Sequence, residues 1–240
     1  MPTTARSSTR NSTLSRDKII KAAYQLAKKD PVNALSMRKI ATKLKVTPMA
    51  IYKYFSDKNE LTAAVIDLHL EKSNLIPTEV DPADWRTWIK SSFYSMWDAY
   101  DTAPGMLQYM INATSFGPAV LNWQNEALKV LINAGLTPKQ ALTAHAAMAE
   151  LTTGSTILVP VRKLGVQNIF PGIWKDLSEG RVPNLDNSEE IESMGDYPWV
   201  LMCGQAMMED MQDTRNAFGN EIDLLLDSIA AQIEKNKAAE

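Results

Sequence analysis

One cysteine, Cys203, stands in 240 residues. That excludes an internal disulfide and makes a reducing, cytoplasmic setting the expectation. Histidine is nearly as scarce, with only His69 and His145. Two remote histidines and one cysteine give neither metal-ligand spacing nor a triad, and no phosphate-cradling glycine loop or G-x-S-x-G is present. The chain therefore reads as no enzyme, with no cofactor and no metal. Apolar runs all fall short of the ~18–20 residues that a membrane span needs. The opening MPTTARSSTRNSTLSR has basic residues with no apolar stretch behind them, so no secretory signal is expected. Period-two alternation is also missing, and the expected fold class is all-α.

What is present is unevenly spread. Residues 1–60 hold 13 lysines and arginines against four acids, a net +9. The remaining 180 hold 12 against 24, a net −12, which recovers the overall −3. A basic head on an acidic body suits contact with a polyanion, although a merely solvated basic surface fits the charge alone. Apolar residues make up 45% of the chain, enough for a folded core.

Helix signals run along the whole length. Residues 1–14 are rich in Ser, Thr and Arg and read as a flexible basic arm. Ser15 caps a helix with Ile19, Ile20, Ala23, Leu26 and Ala27 on one face, closed by Pro31. Ser36 opens a second, with Met37, Ile40, Ala41 and Leu44 inward. After Lys45 and Val46, Thr47-Pro48 starts a third, running to about Phe55. Asp57 and Glu60 mark a fourth ending near Lys72. Three short helices, two joined by a tight turn, predict a helix-turn-helix.

The expected division is an arm over 1–14, a helix-turn-helix domain with its connecting helix over 15–72, and a larger helical domain over 73–240. In the larger part, Asp81-Pro82 opens a long helix and Pro104-Gly105 interrupts. A further helix spans 118–133 and is closed by Gly135. Thr137-Pro138-Lys139-Gln140 launches a long helix ending near Val159-Pro160, and 164–196 reads as a long loop. Pro198 starts another helix, and a last one begins near Thr214.

On the third helix, 3.6-residue spacing turns Ile51 and Phe55 inward and Met49 and Lys53 outward, with Ala50, Tyr52 and Tyr54 on the flanks. Such a helix can enter a DNA major groove, with Tyr52, Tyr54 and Lys58 near phosphates and Met49, Ala50 and Lys53 near bases. Either tyrosine alone also reads as a core edge.

The run SMRKIATKLKVTPMAIYKYFSDKNEL resembles the DNA-binding motif of the tetracycline-repressor (TetR) family. The matching positions are Ser36, Arg38, Ile40, Ala41, Leu44, Val46, Ile51, Tyr52, Tyr54, Phe55, Lys58 and Leu61. The resemblance implies DNA contact at Ser36, Arg38, Thr47, Pro48, Met49, Ala50, Tyr52, Lys53, Tyr54 and Lys58. One departure is Lys45, where the family usually keeps glycine; a positive φ there would cost of order 1 kcal/mol.

More weakly, DWRTWIK, AGLTPKQAL and AFGNEIDLLLDSI resemble the family's ligand-binding and dimerisation domain. This implies a homodimer paired through helices near 137–159 and 214–235, a double-stranded DNA operator and a small-molecule effector. A repressor released by a small, largely apolar effector is expected. An all-helical hydrophobe-binding protein without DNA activity is the alternative. The aromatic and methionine-rich stretch suggests a pocket at Trp97, Met106, Tyr109, Met110, Phe116, Trp123, His145 and Thr152, with Asn112 and Gln124 as further polar anchors. Histidines that hold a drug–metal chelate in tetracycline repressors fall here near Tyr109 and Glu150, which argues against that effector.

Overall fold

The computed structural model describes residues 14–28, 35–113, 116–164, 175, 179, 200 and 203–239. The arm over 1–13 and most of the 164–196 loop lie outside the described residues, as does the expected helix start at Pro198. The described elements are helices, with no strand among them: α1 (Arg16–Ala27), α2 (Met37–Leu44), α3 (Pro48–Tyr52), α4 (Lys58–Glu71) and α5 (Trp85–Thr102), followed by α6 (Pro104–Ile111), α7 (Pro118–Asn133), α8 (Pro138–Leu164), α9 (Gly204–Gln212) and α10 (Thr214–Lys237). They fall into two compact units, one of residues 1–73 and 102–122, the other of 74–101 and 123–240.

In the first unit the caps act largely as the sequence dictates. The Ser15 hydroxyl accepts from Lys18 N, and Asp57 accepts from Glu60 N at 2.9 Å. Glu60 does not complete a box with Asp57. Its carboxylate accepts instead from Ser56 N at 2.7 Å and from the Arg16 guanidinium at 2.8 Å. These donors hold the Glu60 carboxyl below the usual carboxylate range. Ile19, Ala23, Ile40, Ile51, Phe55, Leu61 and Val65 form the core. Arg16 closes one side, its guanidinium 4.1 Å from the centre of the Phe55 ring. The Asp67 carboxylate accepts from Ala119 N at 2.7 Å, within the first turn of α7. A Cβ at Gly117 would overlap that same carboxylate, so this approach needs glycine.

The second unit is organised around aromatics. Phe93 packs edge-on against Trp123 and His145, at 5.4 and 5.7 Å between ring centres. Trp97 stacks on Phe218 at 5.9 Å, and Tyr94 meets Phe218 edge-on. At the surface, α5 and α10 are tied by Arg86–Asp227 and Lys90–Asp223, both 2.7 Å, and by a two-pronged Arg215–Asp98 pair. The Thr137–Gln140 box forms in full: Gln140 Oε1 accepts from Thr137 N at 2.8 Å, and the Thr137 hydroxyl accepts from Gln140 N.

Three boundaries differ from expectation. Helix α5 begins at Trp85 because the Asp81 carboxylate closes a turn onto Ala83 N, leaving Asp84 to cap Thr87 N. Helix α3 is short; after Tyr52 the chain turns, and both Tyr54 N and Phe55 N donate to the Ile51 carbonyl. Helix α8 passes straight through Pro160 to Leu164. A helix already 22 residues long has no nucleation left to meet, so one missing hydrogen bond does not end it.

Candidate nucleic-acid interface and aromatic core

The turn between α2 and α3 decides how the third helix is presented. Lys45 takes the left-handed conformation, φ 56° and ψ 43°. Val46 N donates to Ala41 O at 3.0 Å and Lys45 N to Thr42 O at 3.2 Å. This is a Schellman stop, which ends a helix in one residue and usually employs glycine. The strain anticipated for a lysine at this position is present in the backbone. Thr47 then stands extended at φ −81° and ψ 151°, and Pro48 begins α3.

From there Ile51 and Phe55 are buried, while Met49 is 70% exposed. Tyr52, Lys53, Arg38, Thr47 and Lys58 are exposed as well, and Ser36, Pro48 and Ala50 are half-buried. The expected contact set thus lies on α2, α3, the turn joining them and the start of α4, all in the first unit. Neither Ser36 nor Thr47 uses its hydroxyl to cap its helix. Tyr54 differs from Tyr52. Its hydroxyl donates to the Leu14 carbonyl at 2.7 Å, so that proton is engaged inside the unit.

The expected pocket residues divide between the units. Met106, Tyr109, Met110 and Phe116 belong to the first, and Trp97, Trp123, His145 and Thr152 to the second. In the first, Met106 is buried, the Tyr109 hydroxyl accepts from Leu35 N at 3.4 Å, and Phe116 is 51% exposed. Asn112 is exposed and donates to the Gln108 carbonyl of its own helix. Gln124, in the second, is half-buried.

All four expected pocket residues of the second unit are buried. The Trp123 indole donates to the Ser92 hydroxyl at 2.7 Å, which donates in turn to Leu75 O at 2.7 Å. Thr152 donates to Met148 O, one turn back. Among the described residues, Trp97 Nε1, His145 Nε2 and Ser155 Oγ are buried with no hydrogen-bond partner. Burial depresses the pKa of His145 below the ordinary histidine value and raises that of Tyr100 well above the ordinary phenol value. Ser155 was missed from sequence, although it lies ten residues beyond His145 and three beyond Thr152 on one face of α8. Among the described residues no group of three or more His, Cys, Asp or Glu could hold a metal ion. None of the described helices is long and apolar enough to cross a membrane.

Residues 19–65 match the model of bacterial regulatory proteins of the tetR family. The HTH-type transcriptional repressor DrrR1 of Streptomyces coeruleorubidus is 26% identical over 132 residues, covering 55% of this chain and 48% of that protein. The chain spans about half the length of the curated relatives it matches. Among solved structures, the Streptomyces coelicolor TetR family protein ActR in complex with (S)-DNPA aligns with TM-score 0.67 at 18% identity. That alignment covers 92% of this chain and 100% of ActR. BioQ with its double-stranded DNA operator aligns with TM-score 0.54 at 24% identity, over 60% of this chain and 87% of BioQ. The segment that carries the tight-turned α2–α3 pair, residues 19–65, is thus similar to the bacterial regulatory proteins of the tetR family.

Proposed function

We propose that this chain is a ligand-responsive transcriptional repressor that binds double-stranded operator DNA as a homodimer and performs no catalysis. The observation that carries the reading is helix α3, which buries Ile51 and Phe55 and leaves Met49, Tyr52 and Lys53 free to face a groove. Met49 and Ala50 suit thymine methyls and Lys53 suits guanine, while Arg38, Tyr52 and Lys58 suit phosphates. The DNA-bound state of BioQ supports the partner class, and the (S)-DNPA complex of ActR supports an organic effector.

The second copy pairs through α8 and α10. Leu142, Ile157 and Leu158 on α8 and Leu224 on α10 are exposed, Leu224 by 73%. Between the two helices runs a groove of about 370 Å³ lined by Leu136, Ala144, Ala147, Leu225 and Ile229. Large apolar side chains left in water at this density mark an interface. Two-fold pairing presents two α3 helices to two half-sites. Effector binding in the second unit favours the DNA-incompetent state, and a full switch from 1:99 to 99:1 takes roughly a 10⁴-fold preference.

Selection of duplexes from a random DNA pool tests the reading. Enrichment of a two-fold symmetric sequence is the expected result; recovery of no preferred duplex contradicts it. For the dimer, Leu224→Glu is expected to yield monomers by light scattering and to weaken binding to a full two-half-site duplex.

A further inference from the structure

We propose that Arg16, at the start of α1, is a positioning residue for operator reading: together with Tyr54 it clamps the chain just beyond α3 and so sets the direction of Lys53. The proposal rests on the DNA-binding reading above and adds to it a residue that touches no nucleotide.

Helix α3 spans only Pro48–Tyr52, too short to hold a direction through its own hydrogen bonds. Its start is fixed by the left-handed turn at Lys45, and its inner face by the buried Ile51. Beyond its end, residues 53–57 form no helix, and Tyr54 N and Phe55 N share one acceptor, the Ile51 carbonyl. The remaining hold on this corner comes from residues 14–16, which lie 38 to 44 positions away from their partners in the chain.

That hold is reciprocal. Arg16 Nη1 donates to the Tyr54 carbonyl at 2.6 Å and to Glu60 Oε1 at 2.8 Å. In the other direction, the Tyr54 hydroxyl donates to the Leu14 carbonyl at 2.7 Å. The Arg16 guanidinium also lies over the Phe55 ring, 4.1 Å from its centre. The second oxygen of Glu60 accepts from Ser56 N at 2.7 Å and from the Ser56 hydroxyl at 2.9 Å. Three consecutive residues, Tyr54, Phe55 and Ser56, are therefore gripped by one network centred on Arg16.

Magnitudes say what the network is for. The Arg16 and Glu60 side chains are 46% and 38% exposed, and an ion pair at that exposure adds little to folding. Its effect lies in direction. Lys53 immediately precedes the gripped Tyr54 and is the residue suited to guanine, and a base contact holds only within about 0.5 Å of its productive placement. The Tyr54 proton and the Arg16 charge are both engaged inside the unit, so neither is free to serve a phosphate. Arginine is required because its planar head lies on Phe55 while aiming two N–H bonds; lysine keeps the charge and loses the plane.

The test uses the intact chain with a pool-selected duplex and a random-sequence duplex of equal length, read by fluorescence anisotropy. Arg16→Lys is expected to bind the selected duplex about two- to tenfold more weakly, the loss of one positioning hydrogen bond. It should bind the random duplex as tightly as the parent does, with the parent's salt slope and melting temperature. Tyr54→Phe, which removes only the hydroxyl, should weaken the selected duplex within the same range. The double variant should lose no more than the larger single loss, because a single clamp is being opened. The base pairs at which Arg16→Lys loses preference should be those at which Lys53→Ala loses it. Equal weakening on both duplexes, parent-like binding by Arg16→Lys, additive losses, relaxed preference at other base pairs or a lowered melting temperature would each overturn the proposal and leave the DNA reading intact. A parent chain that binds both duplexes alike would overturn the DNA reading, and this proposal with it.

Discussion

The two units hold their unspent polar groups in opposite ways. In the first, the groups that matter face water: Arg38, Tyr52, Lys53 and Lys58 are exposed around a small apolar core. In the second, Trp97, His145 and Ser155 are buried, the first two against aromatic rings. An exposed charge loses little by waiting for a polyanion, since water solvates it meanwhile. A buried donor is already desolvated and gains nearly the whole of a hydrogen bond when a partner arrives. Substitutions should therefore act on binding in the first unit and on stability in the second.

The largest effect is expected at Phe218, fully buried between Trp97 and Tyr94. Phe218→Ala should cost about 3–5 kcal/mol in denaturant unfolding. A loss comparable to that of a surface change would break the contrast. Gly219→Ala comes next, because a Cβ there would run into the Tyr94 hydroxyl; about 1–3 kcal/mol is expected, unless the tyrosine swings aside. In the first unit, Lys53→Ala should relax base preference with little change in melting temperature. Lys58→Ala should weaken all duplexes alike and lower the salt slope by about 1. Identical affinity changes across operator variants would contradict that division.

Smaller again is Lys45→Gly, which should stabilise by about 1 kcal/mol by relieving the left-handed lysine. The pH response of His145 sharpens the comparison from the other side. Its folded-state pKa lies below the unfolded value, so the unfolded chain binds the proton more readily. Stability should fall as pH drops through the ordinary histidine range, about 6.5, and be fully present above it. His145→Gln should make the unfolding free energy less sensitive between pH 7.5 and 5.5 than in the parent.

The same contrast separates what the sequence reveals from what it hides. Capping pairs such as Thr137–Gln140 and the Ile51/Phe55 face of α3 rest on neighbours within four residues. Local spacing therefore predicts them, and with them the all-α fold and the short reading helix. Lys45 is legible for the same reason, because only the turn geometry matters. The Asp81 turn that delays α5 competes locally with a cap of similar strength at Asp84, and spacing alone does not choose between them. Pro160 inside α8 depends on how long a helix precedes it. The division of the expected pocket between units, and the contrast of a buried, unpartnered Trp97 indole with a satisfied Trp123, depend on tertiary placement that no periodicity encodes.

Equilibrium binding of a pool-selected duplex, measured from 50 to 200 mM salt, tests the central claim that the α2–α3 surface meets DNA. The account predicts that log K falls linearly and steeply with log salt concentration, about 0.9 per phosphate neutralised. It also predicts that the slope becomes shallower when Arg38 or Lys58 is replaced by alanine. A salt-independent affinity, or one that neither substitution changes, would contradict it.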